Sequence, residues 1–298
     1  GRWDLSGILV GQDQFWDERA IVMSAKKLGI PTFVSQHGWY GDWYPYITPV
    51  ISDYALAWGA RAKKNLEGVL GAHKAVDVGT NRLLDIKTKM KLVDKKDIRR
   101  SLGIPDGKRI VLFASTPFVS CYAHSSPYDS NEMLKRVLND FRDRDDLALL
   151  VRFHPYSYAF EPDNNRDTAF NSNKGPLTFK DPGMHLHEAL AVADLVVSHE
   201  STTMIEAMYC GKPVVELSVP GKARSFRFDG STIELNPTHL SPIDAVDNVW
   251  EACHDILLEP NKCNGILTYT EQNRIEFLKQ AVGDESGSGI CKLMEDVL

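Results

Sequence analysis

Apolar residues are spaced along the chain in two alternating patterns. Nearly continuous apolar runs, such as Ile8–Val10 and Leu147–Phe153, are typical of strands buried in a parallel sheet. Between such runs, apolar residues recur every three or four positions, as in Asn131–Arg142, and this spacing predicts helices. Because strands and helices alternate through most of the chain, the sequence predicts an α/β fold with parallel sheets.

The first predicted helix follows the opening strand. Asp17 stands where an N-cap residue is expected, and Gly29 is suited to end the helix. Apolar residues at Ile21, Ala25 and Leu28 have the spacing of one helix face. We therefore predict that these three residues form the buried stripe.

Two blocks of this alternation are separated by the charged segment 87–96, which has few residues suited to a core. This composition predicts a domain boundary. We expect a partial first domain at residues 1–86, a linker and the start of the second domain at 87–100, the second domain at 101–268, and helices at 269–298 that pack back toward the first. Because the chain enters a strand almost at once, we expect the first domain to be truncated at its N-terminus.

The stretch Tyr156–Gly183 separates a predicted strand from a predicted helix and is rich in Asn, Asp, Pro and Ser. Connections of this length in compact domains are uncommon and usually carry function. We therefore predict a functional loop here.

The most informative stretch is Ala193–Leu217, which reads as a strand, a hydroxyl-rich turn, a helix from about Thr203 to Cys210, and a second strand. The turn carries four hydroxyl side chains, which are Ser198, Ser201, Thr202 and Thr203. A helix N-terminus presents unpaired backbone N–H groups and a partial positive charge, so the pattern favours a phosphate site. The alternative is plain helix capping, because Thr203 and Glu206 have capping-box spacing.

A second strand of the same predicted sheet also ends in groups that suit an anion. These groups are Arg152, His154 and Pro155. Ligands of open parallel sheets bind at the carboxyl ends of the strands. Two strand ends with this chemistry favour the phosphate site over capping alone.

In the first domain, the strand Pro31–Ser35 delivers His37 and Gly38 to its end. Histidine titrates near neutral pH, so His37 is a candidate general base; the alternative is a structural histidine. Aromatic residues follow at once, namely Trp39, Tyr40, Trp43, Tyr44 and Tyr46. We predict that they form a platform for the faces of sugars, with packing between domains as the alternative.

Composition excludes several classes of protein. The net charge is −6, with no basic cluster, which argues against a nucleic-acid partner. Five cysteines without CxxC spacing suit mostly buried thiols in a reducing compartment. No apolar run approaches the roughly 20 residues of a membrane span, so we expect a cytoplasmic protein. His185 and His187 lack a third ligand nearby in sequence, and we predict a structural role and no metal site.

Three short motifs in this order resemble a known architecture. They are QHG at residues 36–38, RFHP at 152–155 and SHESTTMIEA at 198–207. The set resembles the GT-B glycosyltransferases, and within them the CDP-glycerol glycerophosphotransferases and bacterial polysialyltransferases. The resemblance implies two Rossmann-like domains facing across a cleft, with the acceptor on the first and a nucleotide donor on the second.

The resemblance also implies roles for the motif residues. His154, Ser201 and Thr202 would bind the donor phosphate, helped by Thr203, without a metal ion or cofactor. Glu206 would face the nucleotide, with a capping role as the alternative. The resemblance favours a CMP- or CDP-linked donor and a glycan or lipid-linked glycan acceptor, as in capsule or lipopolysaccharide synthesis. Segments outside this chain would associate it peripherally with the inner face of the membrane.

Two other function classes remain open at this point. An enzyme of the UDP-N-acetylglucosamine 2-epimerase type shares the architecture and much of the donor site. A non-catalytic glycan-binding module could be built on a degenerate transferase scaffold. The presence of His37, His154 and the Ser201–Thr202 turn favours the transferase.

Overall fold

The computed structural model describes residues 4–13, 16–38, 50–68, 74–115, 130–154, 165–198, 201–218, 239–242, 249–259, 282–283 and 288–297. The chain divides into two compact units. The first comprises Gly1–Asp85, Ser225–Glu234 and Ile275–Leu298, and the second comprises Ile86–Arg224 and Leu235–Arg274.

The first unit contains a four-stranded parallel sheet. Its strands, in both chain order and spatial order, are β1 (Ile8–Val10), β2 (Thr32–Ser35), β3 (Tyr54–Ala57) and β4 (Ala75–Asp77). The helices of this unit are α1 (Trp16–Lys27), α2 (Ala60–Gly68) and the C-terminal α10 (Gly289–Val297), while α3 (Arg82–Met90) begins in it. Two apolar clusters form its core. One includes Val22, Val34 and Leu66, and the other joins Phe33 and Leu56 to α10.

The second unit contains a six-stranded parallel sheet. Its strands are β5 (Arg109–Ala114), β6 (Leu147–Arg152), β7 (Thr178–Lys180), β8 (Leu195–Ser198), β9 (Val214–Ser218) and β10 (His239–Pro242), in the spatial order β10-β9-β8-β5-β6-β7. The helices are α4 (Lys95–Leu102), α5 (Ser130–Phe141), α6 (Asn165–Asn173), α7 (Leu186–Val192), α8 (Thr202–Tyr209) and α9 (Val249–Leu258). Most strand residues of β5, β6 and β8 are fully buried, which is typical of parallel sheets covered on both faces. The predicted α/β class with parallel sheets is confirmed.

The predicted stripe of the first helix is wrong in two of its three members. Ala25 is buried, but Ile21 is 50% exposed and Leu28 is 76% exposed, while Val22 takes the buried position. The predicted cap is also displaced, because the helix already includes Trp16 and Asp17 lies in its first turn. The predicted end is confirmed by Gly29, whose φ of 70° is in the left-handed region that glycine favours.

The stretch predicted as one functional loop contains two regular elements. Helix α6 and strand β7 both lie between Tyr156 and Gly183. Phe170 of α6 is buried in the core of the second unit, and β7 pairs with β6 from Leu149↔Thr178 to Val151↔Lys180. The prediction of a loop across the whole stretch is therefore wrong.

Three cysteines lie in the described part of the chain. Cys253 is buried, Cys210 is half-buried and Cys291 is exposed. Burial, the largest influence on Cys210, raises the pKa of its thiol to about 11. Among the residues that the structure describes, no helix is long and apolar enough to cross a bilayer.

Candidate functional site

The second sheet reverses its direction of growth at β5. From β5 the chain adds β6 and β7 on one side, and then returns to add β8, β9 and β10 on the other. The neighbours β5 and β8 therefore flank a topological switch point, where open α/β sheets bind ligands beyond the strand ends. In the register of the sheet, Ala114 pairs with Arg152 on one side and with Ser198 on the other. Two of the predicted donor-site segments thus begin at adjacent positions of one sheet edge.

Ser198 is the last residue of β8 and is fully buried. Its hydroxyl donates a hydrogen bond of 2.6 Å to the carbonyl oxygen of Ala114 in β5. The side chain therefore fastens the two strands together at the switch point. This contact gives Ser198 a structural part beside the predicted donor-binding one.

Ser201 is the N-cap of α8. Its Oγ accepts a hydrogen bond of 3.2 Å from the backbone N–H of Thr203, and its carbonyl accepts one of 3.0 Å from Met204. The capping residue is thus Ser201, so the alternative in which Thr203 and Glu206 form a capping box is wrong. Thr202 and Thr203 lie in the first turn and are half-buried, and Glu206 is 1% exposed one turn later.

Arg152, at the end of β6, is held by the turn that follows β7. Its guanidinium pairs with the buried carboxylate of Asp181 and donates a 2.6 Å hydrogen bond to the carbonyl of Met184. The other oxygen of Asp181 accepts hydrogen bonds from the backbone N–H groups of Gly183 and Met184. Arg152 therefore anchors this turn beside the sheet edge, and its predicted contact with a donor stays a prediction.

His154 lies just beyond β6 and is half-buried. Its backbone N–H donates a hydrogen bond of 3.1 Å to the hydroxyl oxygen of Ser115. Pro155, the other residue of the predicted motif, lies outside the described residues.

Ser115 belongs to the candidate site by position but is not among the residues predicted from the sequence. It follows β5, the strand at the switch point, is 5% exposed, and donates its backbone N–H to the carbonyl of Arg152 at 2.9 Å. The sequence does contain a signal for it, because a polar residue directly follows the apolar run Arg109–Ala114. His154 was predicted as a site residue because it also follows an apolar run. Ser115, His154, Ser198 and Ser201 together line the carboxyl edge formed by β6, β5 and β8.

His37 in the first unit lies just beyond β2 and is solvent-accessible. Partial burial of its ring, and secondarily the positive charge of Arg82, lowers the pKa of His37 below the ordinary value of 6.5. A lowered pKa keeps the imidazole neutral at neutral pH, the form that accepts a proton. The aromatic residues predicted to follow it, Trp39, Tyr40, Trp43, Tyr44 and Tyr46, lie outside the described residues.

Gln36 fixes the backbone on both sides of His37. Its amide nitrogen donates to the carbonyl of Gly38 at 2.8 Å, and its amide oxygen accepts from the backbone N–H of Trp58 at 2.7 Å. The indole N–H of Trp58 in turn donates to the carbonyl of Gln36 at 3.1 Å. Gln36 thus ties the turn that carries His37 to the end of β3.

Among the residues described, one group has the composition of a metal site. His254, Asp255 and Glu259, at the end of α9, have candidate ligand atoms within 4.8 Å of one another. They lie on a different element from the sheet-edge residues, and the expected absence of a metal at the donor site stays a prediction. His185 and His187 stack with their ring centroids 5.5 Å apart, and His185 donates its backbone N–H to Glu188 at 2.7 Å, as a capping residue does.

The sequence between the third strand and the ninth matches a known family. The family is described as CDP-glycerol:poly(glycerophosphate) glycerophosphotransferase, and residues 53–219, more than half of the chain, match it. The chain belongs to this family. The matched residues include Ser115, His154 and the start of α8, whereas His37 lies before them. No curated protein matches the chain.

Solved structures of the same architecture support the fold of this family member. The wall teichoic acid polymerase TagF aligns with a TM-score of 0.51 at 12% identity, covering 90% of this chain and 68% of that chain. The S. aureus MnaA–UDP co-structure aligns with a TM-score of 0.62 at 16% identity, covering 98% and 77%. A Listeria monocytogenes protein described as a UDP-N-acetylglucosamine 2-epimerase aligns with a TM-score of 0.60 at 17% identity, covering 98% of this chain and 74% of that chain. These similarities show the GT-B type fold.

Proposed function

We propose that this glycerophosphotransferase family member transfers an alditol phosphate, foremost glycerophosphate, from a CDP-linked donor to a hydroxyl group of a surface-polymer acceptor. A sugar transferred from a CMP- or CDP-linked donor is the second form of the same proposal. The observation that carries it is the edge at the switch point, where Ser115, His154 and the N-terminus of α8 lie within the segment that matches the family.

The second unit supplies the proposed donor site. A helix N-terminus favours anions through its N–H groups and its partial positive charge, and the hydroxyls of Thr202 and Thr203 lie in the same first turn. A protonated His154 would add a positive charge beyond the end of β6, which is separated from β8 by β5 alone. Together these groups would counter the charge that develops on the departing nucleotide phosphate, so we propose that no metal ion or cofactor is needed.

The proposed transfer breaks one bond and forms one. The acceptor hydroxyl oxygen attacks the phosphorus that bears the glycerol, the bond from that phosphorus to the bridging oxygen breaks, and CMP leaves. His37 takes the proton of the attacking hydroxyl, for which its lowered pKa makes the neutral ring available. Glu206 accepts hydrogen bonds from the ribose in this proposal, and the aromatic segment after His37 holds the acceptor chain.

TagF is described as a wall teichoic acid polymerase, and one of its matched structures as a variant soaked with CDPG. These descriptions support the choice of CDP-glycerol as the first donor to test. We further propose that the reaction occurs at the cytoplasmic face of the membrane, on a glycan or lipid-linked glycan.

A donor screen tests the proposal. The melting temperature of the protein is measured with CMP, CDP, UDP and GDP and with CDP-glycerol, because a ligand of the folded state raises it by mass action. CDP-glycerol is then offered with a short oligo(glycerol phosphate) acceptor, and release of CMP and lengthening of the acceptor are followed together. Cytidine-selective stabilisation with acceptor lengthening supports the proposal. Stabilisation by UDP alone, with UDP-N-acetylglucosamine consumed without an acceptor, would replace it with the epimerase alternative.

A further inference from the structure

The first sheet has a recess at the carboxyl ends of β1 and β2. The empty space in and above it is about 240 Å³, open solvent included, and it is lined by Gln12, Asp13, Val34, Ser35, Gln36, Val50 and Leu66. Gln12 and Asp13 follow β1. Ser35 and Gln36 are the two residues that precede the proposed base, His37. Much of this space is open solvent, and the enclosed part is close to the size of one water molecule, so the recess suits a single hydroxyl group at the end of a ligand.

Asp13 is the charged group of this recess, and its two oxygens differ in their contacts. Oδ2 accepts hydrogen bonds from the backbone N–H groups of Ile51 at 2.9 Å and Ser52 at 2.8 Å. Oδ1 has no hydrogen-bond partner in the described part of the chain, although Asp13 is 0% exposed. A buried carboxylate oxygen without a partner costs free energy, which a donor from a ligand would offset.

We propose that the recess binds the hydroxyl of the acceptor's terminal glycerol that does not attack the donor, with Asp13 Oδ1 as the hydrogen-bond acceptor and the attacking hydroxyl left to His37. This inference rests on the proposed transferase function and names its acceptor subsite. A carboxylate attracts an O–H donor and repels a phosphate, so the site selects a neutral polyol end over a phosphorylated end. The apolar side chains of Val34, Val50 and Leu66 also line the recess, and in this proposal they face the carbon atom that bears the bound hydroxyl.

The place of the recess in the chain connects it to catalysis. Gln36 lines the recess and also holds the turn at Gly38 through its amide nitrogen. One residue therefore borders the proposed acceptor subsite and fixes the backbone that carries the proposed base. Asp13 is a binding residue in this arrangement, and His37 remains the group that takes the proton.

Asp13→Asn is the sharpest test, because it is isosteric. The remaining amide oxygen can still accept from Ile51 and Ser52, while an NH₂ group replaces Oδ1 and cannot accept the ligand hydroxyl. Binding is measured by titration calorimetry without donor, using an oligo(glycerol phosphate) probe that ends in glycerol and a matched probe that ends in methyl phosphate. Asp13→Asn should lower the affinity for the glycerol-ended probe by about 10- to 100-fold, the usual contribution of a hydrogen bond to a charged group.

The matched control is Ser52→Ala. Ser52 is 1% exposed, and its Oγ also has no hydrogen-bond partner in the described part of the chain, but it does not line the recess. Its replacement should leave both affinities within about twofold of the wild type. If Asp13→Asn does not fold, Ser35→Leu takes its place, because it fills the recess while leaving the hydrogen bonds of Asp13 intact. Ser35→Leu should lower the affinity for the glycerol-ended probe to a similar extent.

The inference is overturned if the wild type binds both probes equally, if it binds neither, or if a folded Asp13→Asn or Ser35→Leu variant binds the glycerol-ended probe as the wild type does. These results are separate from the proposed function, which is read from CMP release by the wild type with CDP-glycerol. Transfer without discrimination between the probes would remove the recess and leave the transferase. Discrimination between the probes without release of CMP would keep the recess as a binding site for a polyol end and remove the transferase proposal.

Discussion

The backbone N–H of His154 donates a hydrogen bond to Oγ of Ser115, over a distance of 3.1 Å. The bond connects His154, two residues beyond the end of β6, with the residue that directly follows β5, at the edge where the order of strands in the sheet reverses. Ser115 also donates its own backbone N–H to Arg152. The position of His154 is therefore fixed through Ser115, which gives that serine a positioning role in the proposed donor site.

Replacement of Ser115 by alanine should weaken nucleotide binding. The lost hydrogen bond leaves the part-buried N–H of His154 without this acceptor, a cost of about 0.5–1.5 kcal/mol that corresponds to roughly 2- to 12-fold in Kd. Calorimetric titration with CMP measures the effect, and kcat at saturating donor should change less than KM. Ser101→Ala is the matched control, because the Ser101 hydroxyl donates to the carbonyl of Ile98 on the exposed surface of α4.

His154→Ala provides the reference for this experiment. It should weaken CMP binding more than Ser115→Ala, since it removes the imidazole itself. Combining the two changes should cost less than the sum of their separate effects, because residues in one contact are not independent. Full additivity, or unchanged affinity in Ser115→Ala, would contradict the positioning role.

The strands β5, β6 and β8, which form the sheet edge at the switch point, could be predicted because each is a nearly continuous apolar run. Helix α6 and strand β7 could not. The α6 sequence NRDTAFNSN is poor in helix-forming residues, so the burial of Phe170 in the core, and not local propensity, stabilises the helix. Strand β7 has only three residues, TFK, which is too short to show a period.

The face of α1 was mispredicted for a related reason. Apolar residues occur all round this helix, and Trp16, Ile21 and Met23 are exposed, as is Leu28 directly after its end. The spacing of Ile21, Ala25 and Leu28 is therefore no better than one that includes Val22, and only the position of the sheet decides between them. In the same way, consecutive hydroxyl residues can each cap a helix, so the sequence does not distinguish Ser201 from Thr203 as the cap.

Asp53 provides a prediction on acid stability. Burial raises the pKa of its carboxyl, but the hydrogen bonds from Lys26 Nζ, Thr32 Oγ1 and the Thr32 backbone N–H outweigh burial and lower the pKa below its ordinary value. A depressed folded-state pKa stabilises the fold above the unfolded pKa of about 3.9, and this contribution is lost as the pH falls through the folded value.

Asp53→Asn should therefore lower the free energy of unfolding by about 1 kcal/mol at pH 7, with solvent screening of the half-exposed pair included. The difference from the wild type should shrink as the pH falls toward 3, and urea unfolding at both pH values (roughly 7 and 3) measures it. Asp97→Asn is the control, because its pair with Arg100 is well exposed. A difference that stayed constant with pH would show that the charge of Asp53 does not contribute.

Removal of divalent metal should leave the transfer reaction intact. The proposed donor site offers a helix N-terminus, hydroxyls and a histidine, and the metal-type group of His254, Asp255 and Glu259 lies at the end of α9. Activity after EDTA treatment should equal that of the untreated enzyme, and His254→Ala should retain CMP binding. Activity abolished by EDTA and restored by Mg²⁺ or Mn²⁺ would show that the proposed metal-independent mechanism is wrong.

The pH dependence of turnover tests His37 as the general base. Only the neutral ring accepts a proton, so kcat/KM should rise with pH through a pKa below the ordinary histidine value of 6.5, because burial and then the charge of Arg82 lower it. Arg82→Gln should shift this limb of the profile to higher pH, since it removes one of the two influences. His37→Ala should abolish the limb.

His37→Ala should also lower kcat by about 10²- to 10⁴-fold, the usual contribution of a general base. CMP affinity should be unchanged, because the proposed nucleotide contacts of the protein lie in the second unit, which distinguishes this variant from His154→Ala. His187→Ala serves as a control for the loss of a histidine, since His187 belongs to the second unit and stacks on His185 there. His37→Ala could instead keep the wild-type kcat and the rise of kcat/KM with pH when an oligo(glycerol phosphate) acceptor is used. Another group would then take the proton. Asp13, which lines the recess beside Gln36, would then be the next residue to replace.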